Sequence, residues 1–238
     1  MTFQEPSKSP PPSADEILQQ FSNPLLRCSR VVLLPQLRIV KWIRRVKWTV
    51  RGIENLRDSE TPLIFASNHQ SHVDTHVILD SIPKVIRKQT AVAAAFDHFA
   101  DTDGTSPKKR VLQFVVASVW HAFGIERITS PIRSIRTMNE LIDKGWSIVI
   151  YPEGTRSRSG TIAPFKSGLA LVAKKSGRPV IPIHVEGGLR VLPEATYVPK
   201  RGHMQVRFGK PIYFQEDESS KEFIARVENS VRDMAKNA

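Results

Sequence analysis

Cysteine is almost absent from this chain of 238 residues, and Cys28 is the single example. One thiol excludes a disulfide within the chain and any metal site built from several cysteines, and it suits a reducing compartment. Long apolar runs are missing too: Pro35 ends the run Val31–Leu34, and no stretch reaches the roughly 18 residues that a bilayer-spanning helix needs. We therefore expect neither a disulfide framework nor a transmembrane helix.

Acidic residues are missing from one long segment, which concentrates the positive charge of the chain. The formal net charge of +12 favours an anionic partner, such as nucleic acid, an acidic membrane surface or an acidic protein. Between residues 25 and 51 there are eight basic residues and no acidic one: Arg27, Arg30, Arg38, Lys41, Arg44, Arg45, Lys47 and Arg51. This segment alone accounts for two-thirds of the net charge.

The same basic segment has the pattern of an amphipathic helix. At about 100° per residue, one side of the helix carries Ile39, Val40, Trp42, Ile43 and Val46. The other side carries Arg38, Lys41, Arg44 and Arg45. Such a helix can lie in a bilayer interface with its cations on anionic headgroups. It can also pack on a protein core with its basic side in water, and the pattern leaves both interpretations open.

Beyond this segment, short apolar strands alternate with helical patterns. Strands are predicted at 46–51, 63–66, 90–95, 123–128, 146–151, 180–185 and 203–208. Helices are predicted from residue 71, at 111–121, 135–142 and 165–175, and after a cap formed by Ser219 and Glu222. This alternation predicts an α/β fold with a mixed, largely parallel sheet flanked by helices.

The domain organisation follows from composition. Residues 1–16 are predicted to be a disordered tail, because their start is rich in proline and serine and lacks the order of a signal peptide. Residues 17–45 form the predicted membrane-associating helical segment. Residues 46–238 are long enough for one domain with an apolar core.

A histidine and an aspartate five residues apart form the first candidate site. Histidine is the usual general base because its ordinary pKa of about 6.5 lies near cellular pH. A carboxylate on its second ring nitrogen fixes the tautomer and stabilises the imidazolium. On a regular helix His69 and Asp74 would point about 140° apart. They meet only if His69 precedes a helix and Asp74 lies in its first turn, as the cap pattern at Ser71 predicts.

Two other chemistries could use these residues. The first is the His-x-His-x-Asp-His metal motif of the metallo-β-lactamase family, which is matched only in part, at His69, His72, Asp74 and His76. Position 70 is glutamine and position 75 is threonine, and further ligands would have to come from distant histidines. The second is a serine hydrolase, which requires a Gly-x-Ser-x-Gly elbow that the sequence does not contain.

The second candidate site is a glycine-containing loop after a predicted buried strand. Residues 151–157 have the sequence Tyr-Pro-Glu-Gly-Thr-Arg-Ser. Gly154 lets the backbone approach a ligand closely, and Arg156 can bind a phosphate through two parallel hydrogen bonds. Glu153 can hold a substrate hydroxyl or fix the arginine. Two further cations are candidate anion ligands: Arg127 and Lys166.

These motifs resemble those of the PlsC-type glycerolipid acyltransferases, the lysophosphatidate (1-acylglycerol-3-phosphate) acyltransferases. Residues 68–74 are similar to the family's Asn-His-x4-Asp motif. Residues 123–127 resemble its second motif, a glycine-containing stretch that ends in arginine. Residues 151–157 resemble its Phe-Pro-Glu-Gly-Thr-Arg-Ser motif with tyrosine in place of phenylalanine, and residues 180–183 resemble its apolar strand with proline. Order and spacing agree from about residue 46 to about residue 215.

The resemblance implies a reaction and the residues that perform it. His69 would take a proton from the acceptor hydroxyl, with Asp74 orienting the ring, and no acyl-enzyme would form. The donor would be acyl-CoA or acyl-carrier protein, and the acceptor 1-acylglycerol 3-phosphate, which would become phosphatidic acid. The residues implied for acceptor binding, with Lys166 added from the sequence, are Arg127, Glu153, Gly154, Thr155, Arg156 and Lys166. We expect no metal and no cofactor.

The resemblance also implies a place in the cell and leaves alternatives open. A membrane-associating helical segment is usual at the N-terminus of the family, and residues 25–45 lie at that position. We expect a peripheral protein on the cytoplasmic face of a membrane, with residues 25–51 on anionic lipid. Acyl transfer to another lysolipid and lipid binding without catalysis are alternatives. Nucleic acid is not an expected partner, because no groove-reading or RNA-binding motif is present.

Overall fold

The predicted alternation of strands and helices is present in the structure, a computed structural model that describes residues 12–43, 45–57, 59–95, 119–126, 131–193, 196 and 198–236. In chain order the elements are α1 (Ala14–Ser22), α2 (Pro24–Ile43), β1 (Val46–Arg51), a 3₁₀ turn (Ile53–Leu56), β2 (Ile64–Ser67), α3 (His72–Ser81), the single turn α4 (Lys84–Arg87), β3 (Thr90–Ala95), β4 (Ala122–Ile125), α5 (Pro131–Asp143), β5 (Ser147–Ile150), α6 (Gly168–Ser176), β6 (Val180–Glu186), the single turn α7 (Gly188–Val191), β7 (Gly202–Phe208) and α8 (Ser220–Lys236).

Seven described strands form one sheet in the order β1-β7-β6-β2-β5-β3-β4, so β1 and β4 are its edges. Strands β6, β2, β5, β3 and β4 run in one direction, and their pairings are all parallel. Strand β7 pairs antiparallel with β6 and parallel with β1. The structure therefore confirms the mixed, largely parallel sheet. Every residue of β2 and β5 is buried, which explains their continuous apolar sequences.

An apolar layer covers each face of the sheet. Along β2, Ile64 and Ala66 point into the layer formed with α1, α5, α6 and α8. Phe65 points into the opposite layer, formed with α3 and α7. Successive side chains of a strand point to opposite faces, so a short strand contributes to both layers. The sheet is thus enclosed on both sides, and its strand ends are left to form a site.

The first helix packs on the core of the domain. Helix α1 begins at Ala14, where Ser13 and Glu16 form a reciprocal cap, so the predicted tail boundary at residue 16 falls inside this helix. Ile17 is fully buried and Phe21 is nearly so, in the same layer as α5 and α8. The beginning of the predicted membrane segment is therefore part of the folded domain.

Helix α2 presents an apolar stripe to the outside. Pro35 ends the apolar run but not the helix, which continues to Ile43. Four exposed apolar residues are spaced by seven, seven and four positions and so share one side of the helix, here called the α2 stripe: Leu25, Val32, Ile39 and Ile43. In the described part of the chain, no helix has the length and apolar character needed to span a membrane.

The remaining elements differ from the prediction mainly at their ends. Helix α6 begins at Gly168, three residues after the predicted start. Strand β4 ends at Ile125, and most of the predicted helix at 111–121 lies outside the described residues. The predicted cap of the last helix is confirmed, since the Glu222 carboxylate accepts the Ser219 backbone N–H at 2.9 Å. The central strands β2, β5 and β6 each end within one residue of the predicted position.

Candidate active site

The candidate site lies where three parallel strands end. His69 is two residues beyond β2, and Tyr151 directly follows β5. Gly187 directly follows β6. Because β5 and β6 are the two neighbours of β2 and run parallel to it, these three loops meet at one edge of the sheet. Open α/β sheets place their ligand clefts at this carboxyl edge.

The predicted contact between His69 and Asp74 is present. The Nδ1 atom of His69 lies 3.2 Å from Oδ2 of Asp74. The same Oδ2 accepts the backbone N–H groups of Gln70 at 2.6 Å and Ser71 at 2.7 Å. Asp74 is fully buried, whereas the His69 side chain is 14% exposed. Asp74 thus caps α3 and holds the imidazole with the same oxygen, because both donors precede the first turn of the helix.

The plane of the imidazole is fixed by an aromatic neighbour. The rings of His69 and Tyr151 are stacked, with centroids 3.9 Å apart and planes 19° apart. The Tyr151 hydroxyl is 2.7 Å from Oγ1 of Thr75 in α3. Burial, and then the Asp74 carboxylate, raise the pKa of Tyr151, so its phenol stays neutral. With Nδ1 directed at Asp74, the Nε2 atom of His69 is the one available for proton transfer.

The Pro-Glu-Gly loop is joined to the backbone of His69. Oε1 of Glu153 accepts the His69 backbone N–H at 2.7 Å, and Ser157 donates its N–H to the His69 carbonyl at 2.8 Å. Oε2 of Glu153 accepts the Ala163 N–H at 2.7 Å. Glu153 is 3% exposed, and burial raises the pKa of its carboxyl against the opposing effect of the two backbone hydrogen bonds. Both oxygens hold backbone amides, whereas the sequence predicted contacts to a substrate hydroxyl or to Arg156.

The other predicted acceptor ligands are close to this loop or lie outside the described residues. Gly154 has φ +76°, and a Cβ placed on it would lie 2.7 Å from Nζ of Lys166, so the ammonium group lies against the loop backbone. Thr155 is exposed and Arg156 is half-buried. Among the described residues, no hydrogen bond or ion pair to the Arg156 guanidinium is observed. Arg127 lies outside the described residues.

Asn68 has a role that the sequence did not reveal. Its Nδ2 donates to the Val185 carbonyl at 2.9 Å, and its Oδ1 accepts the Val185 N–H at 2.8 Å. The amide group therefore extends the pairing of β2 with β6 by one residue and fixes the start of the loop that carries His69. A polar residue at the end of a fully buried strand is the feature that could have predicted this contact.

The alternative metal site receives no support from the described residues. No three His, Cys, Asp or Glu side chains in this part of the chain lie close enough to hold a metal ion. His72 is exposed, whereas His76 is buried with its Nδ1 3.5 Å from the Trp120 indole nitrogen. The histidines of the partial metal motif therefore lie in different environments.

Similarity to known proteins extends over most of the chain. Residues 47–186 match the family model described as Acyltransferase. A chloroplastic 1-acyl-sn-glycerol-3-phosphate acyltransferase of Brassica napus is 31% identical over 171 residues, which are 70% of this chain and 45% of that protein. A chloroplastic 1-acyl-sn-glycerol-3-phosphate acyltransferase of Arabidopsis thaliana is 30% identical over 171 residues, which are 70% of this chain and 44% of that protein. The chain thus spans less than half the length of these two relatives.

A solved structure supports the same fold. The crystal structure of the 1-acyl-sn-glycerophosphate acyltransferase PlsC from Thermotoga maritima superimposes with a TM-score of 0.66 at 22% identity. The superposition covers 94% of this chain and 88% of that one. At this level of identity the similarity concerns the architecture alone.

We expect Glu153→Gln to weaken the junction between the two motifs. An amide presents one oxygen and one NH₂ group, so one of the two backbone N–H groups would lose its acceptor, at a cost of about 1–3 kcal/mol. Urea unfolding at neutral pH measures this loss. Glu140→Gln, on the surface of α5, is the control and should change the free energy of unfolding by less than about 0.5 kcal/mol. Equal effects of the two substitutions would contradict the assigned role.

The pH dependence of this difference has a definite sign. The folded-state pKa of Glu153 is raised above its ordinary value of 4.5, so the folded protein holds this proton more tightly than the unfolded chain. The corresponding stability is present below pH 4.5 and is lost as the pH rises through the raised pKa. The parent should therefore lose this part of its free energy of unfolding as the pH rises through that range, a decrease that Glu153→Gln, which has no carboxyl at this position, should not show.

Proposed function

The chain belongs to the acyltransferase family, and from this premise we propose that it transfers a fatty acyl group to the free hydroxyl of 1-acylglycerol 3-phosphate, giving phosphatidic acid. The donor would be acyl-CoA or acyl-carrier protein. One observation carries the proposal: the imidazole of His69, paired with a buried carboxylate, lies directly beside the cationic loop at residues 151–157. A base next to an anion-binding loop is the arrangement that acylation of a hydroxyl on a phosphate-bearing acceptor requires.

The proposed reaction needs one proton carrier. Nε2 of His69 takes the proton from the acceptor hydroxyl as its oxygen attacks the thioester carbonyl. The C–O bond forms, the C–S bond breaks, and the leaving thiolate receives the proton from the imidazolium. Asp74 stabilises the imidazolium between these two steps, because its carboxylate is directed at Nδ1. His69 thus ends in its initial protonation state. The acyl group passes directly from the thioester sulfur to the acceptor oxygen, and no acyl-enzyme forms.

Acceptor binding is assigned to the cationic side of the loop. The Arg156 guanidinium has a planar geometry that suits two parallel hydrogen bonds to a phosphate. Lys166 adds a second positive charge beside Gly154, and the exposed Thr155 adds a hydroxyl. Arg127 is retained as a predicted ligand from its position after β4. Glu153 is assigned instead to positioning His69, since both of its oxygens already hold backbone N–H groups.

Membrane association is proposed to occur through the α2 stripe. The four side chains of the stripe are between 54% and 72% exposed, and the same helix belongs to the segment without acidic residues. An exposed apolar stripe with basic neighbours favours a bilayer interface over bulk water. A lysolipid acceptor and a long-chain donor both partition into membranes. We propose a peripheral protein on the cytoplasmic face, positioned so that the acceptor can reach His69 from the bilayer.

His69→Ala should abolish acyl transfer while leaving the fold intact. Removing a general base typically lowers kcat by about 10²–10⁴-fold. The assay follows radiolabelled acyl groups from both acyl-CoA and acyl-carrier protein onto lysophosphatidate and a panel of other lysolipids. His72→Ala removes an exposed histidine three residues away and is the matched control. Full activity of the His69 variant would overturn the assignment, and preference for another lysolipid would change only the acceptor.

Arg156→Ala should weaken acceptor binding more than catalysis. Loss of a charged hydrogen-bond donor to a phosphate costs about 1.5–3 kcal/mol, so the KM for lysophosphatidate should rise by at least tenfold. Arg158→Ala, at an exposed arginine directly after this loop, is the control and should leave this KM unchanged. Steady-state kinetics with acceptor as the varied substrate provides the measurement. An unchanged KM in the Arg156 variant would remove this residue from the acceptor site.

The double substitution Leu25→Ser, Val32→Ser should reduce membrane binding without unfolding the protein. These side chains are 72% and 56% exposed, so the fold loses little packing. Removing two apolar anchors of about 1.5–3 kcal/mol each when fully buried should lower vesicle partitioning at least tenfold. Cosedimentation with vesicles containing phosphatidylglycerol measures it. Val85→Ser, Ile132→Ser changes two residues outside α2 that are 78% and 79% exposed, and this variant should bind as the parent does.

A further inference from the structure

Two adjacent glycines after β6 differ in their surroundings. Gly187 has φ +90°, and a Cβ on it would lie 2.6 Å from the His203 carbonyl oxygen, so this position needs glycine for the turn itself. Gly188 does not have a positive φ. A Cβ on Gly188 would instead lie 2.2 Å from Oδ1 of Asp74 and 3.3 Å from Cβ of Ser71. The bare backbone of Gly188 therefore lies against the acid that orients His69.

The two carboxylate oxygens of Asp74 have different environments. Oδ2 accepts the backbone N–H groups of Gln70 and Ser71 and faces Nδ1 of His69. Oδ1 is buried and has no hydrogen-bond partner among the described residues. Oδ1 is also the heavy atom nearest to the place where a Cβ at position 188 would stand.

The turn that carries Gly188 is anchored to the start of α3. Oγ of Ser71 donates to the Leu192 carbonyl at 2.6 Å, directly after α7. The Lys200 N–H donates to the Val191 carbonyl at 2.7 Å, and Val191 is fully buried. The α7 turn is therefore fixed on both sides and would not yield easily to a larger residue at position 188.

We propose that Gly188 is a positioning residue of the His69–Asp74 pair. Its missing side chain provides the space in which the Asp74 carboxylate directs Oδ2 at the imidazole, and the anchored α7 turn forms the wall behind that carboxylate. This inference rests on the proposed function for its effect on rate, but the steric contact itself does not depend on the reaction.

A methyl group at position 188 should displace the Asp74 carboxylate rather than the anchored α7 turn. Real Cβ atoms essentially never approach another heavy atom within 3.0 Å, so the contact at 2.2 Å must open. Asp74 has a short side chain, and moving it turns or releases His69. A displacement of about 1 Å at a catalytic group can lower the rate on the order of a hundredfold. The KM for the acceptor should stay unchanged, because loop 151–157 is not touched.

The test is a double-mutant cycle between Gly188→Ala and Asp74→Ala. In the parent, Gly188→Ala should lower kcat on the order of a hundredfold and lower the thermal unfolding midpoint. In the Asp74→Ala background the obstructing oxygen is gone, so the same substitution should lower neither the residual kcat nor the midpoint further. Additive losses in both backgrounds would show that Gly188 serves the backbone alone, and would overturn the proposal.

Two glycine variants provide the controls. Gly168→Ala also changes the first residue of a helix, but its Cβ would meet nothing within 4 Å, so kcat and midpoint should stay at the parent values. Gly187→Ala should lower the midpoint equally in both backgrounds, because its contact is with the His203 carbonyl. A rise in acceptor KM in Gly188→Ala would assign the residue to binding and contradict the proposal.

The two readouts separate failure of the inference from failure of the proposed function. If the parent shows no acyl transfer, the proposed function is wrong, while the unfolding midpoints still report whether the added methyl collides with Asp74. If the parent is active and Gly188→Ala retains its kcat, the inference is wrong and the proposed function stands. If Gly188→Ala lowers both kcat and the unfolding midpoint in the parent but neither of them in the Asp74→Ala background, the inference and the proposed function are both supported.

Discussion

The hydrogen bond between the Glu153 carboxylate and the His69 backbone amide is the contact on which the rest of the site depends. It joins a loop after β5 to a loop after β2, which are separated by more than eighty residues in the chain. Ser157 binds the carbonyl of the same histidine, and Tyr151 covers its ring. The backbone of His69 is thus fixed by hydrogen bonds and its ring by stacking, in addition to the contact between Nδ1 and Asp74. A base held in this way loses little conformational entropy when substrate arrives.

Two buried carboxylates inside a strongly basic protein explain how this geometry is maintained. Asp74 and Glu153 are almost completely excluded from water, and a buried charge is stable only when donors surround it. Each accepts two backbone N–H groups, which are rigid donors that carry no charge to be screened. Neither carboxylate therefore needs a lysine or arginine partner for its burial. The two buried acids therefore serve to position the backbone around His69.

Much of the fold and part of the site could be predicted from local sequence. Fully apolar strands, the cap at the start of α3 and the loop position of His69 depend on neighbouring residues, and these predictions were confirmed. The contacts that were missed join distant segments: the amide of Asn68 to β6, and the Glu153 carboxylate to the His69 backbone. The predicted membrane segment at 17–45 was based on the basic, amphipathic pattern of residues 25–51, and its first residues belong instead to α1, which packs on the core. The partner of an apolar face is a property of the tertiary structure.

The position of β1 at one edge of the sheet affects how two copies of the protein could associate. Strand β1 is an edge strand, and its side chains Lys47, Thr49 and Arg51 are exposed to solvent. A free strand margin can recruit another chain through its unsatisfied amide groups. Pairing of two such edges would bring Lys47 and Arg51 close to the cations of the second copy, and the repulsion between these like charges opposes that pairing.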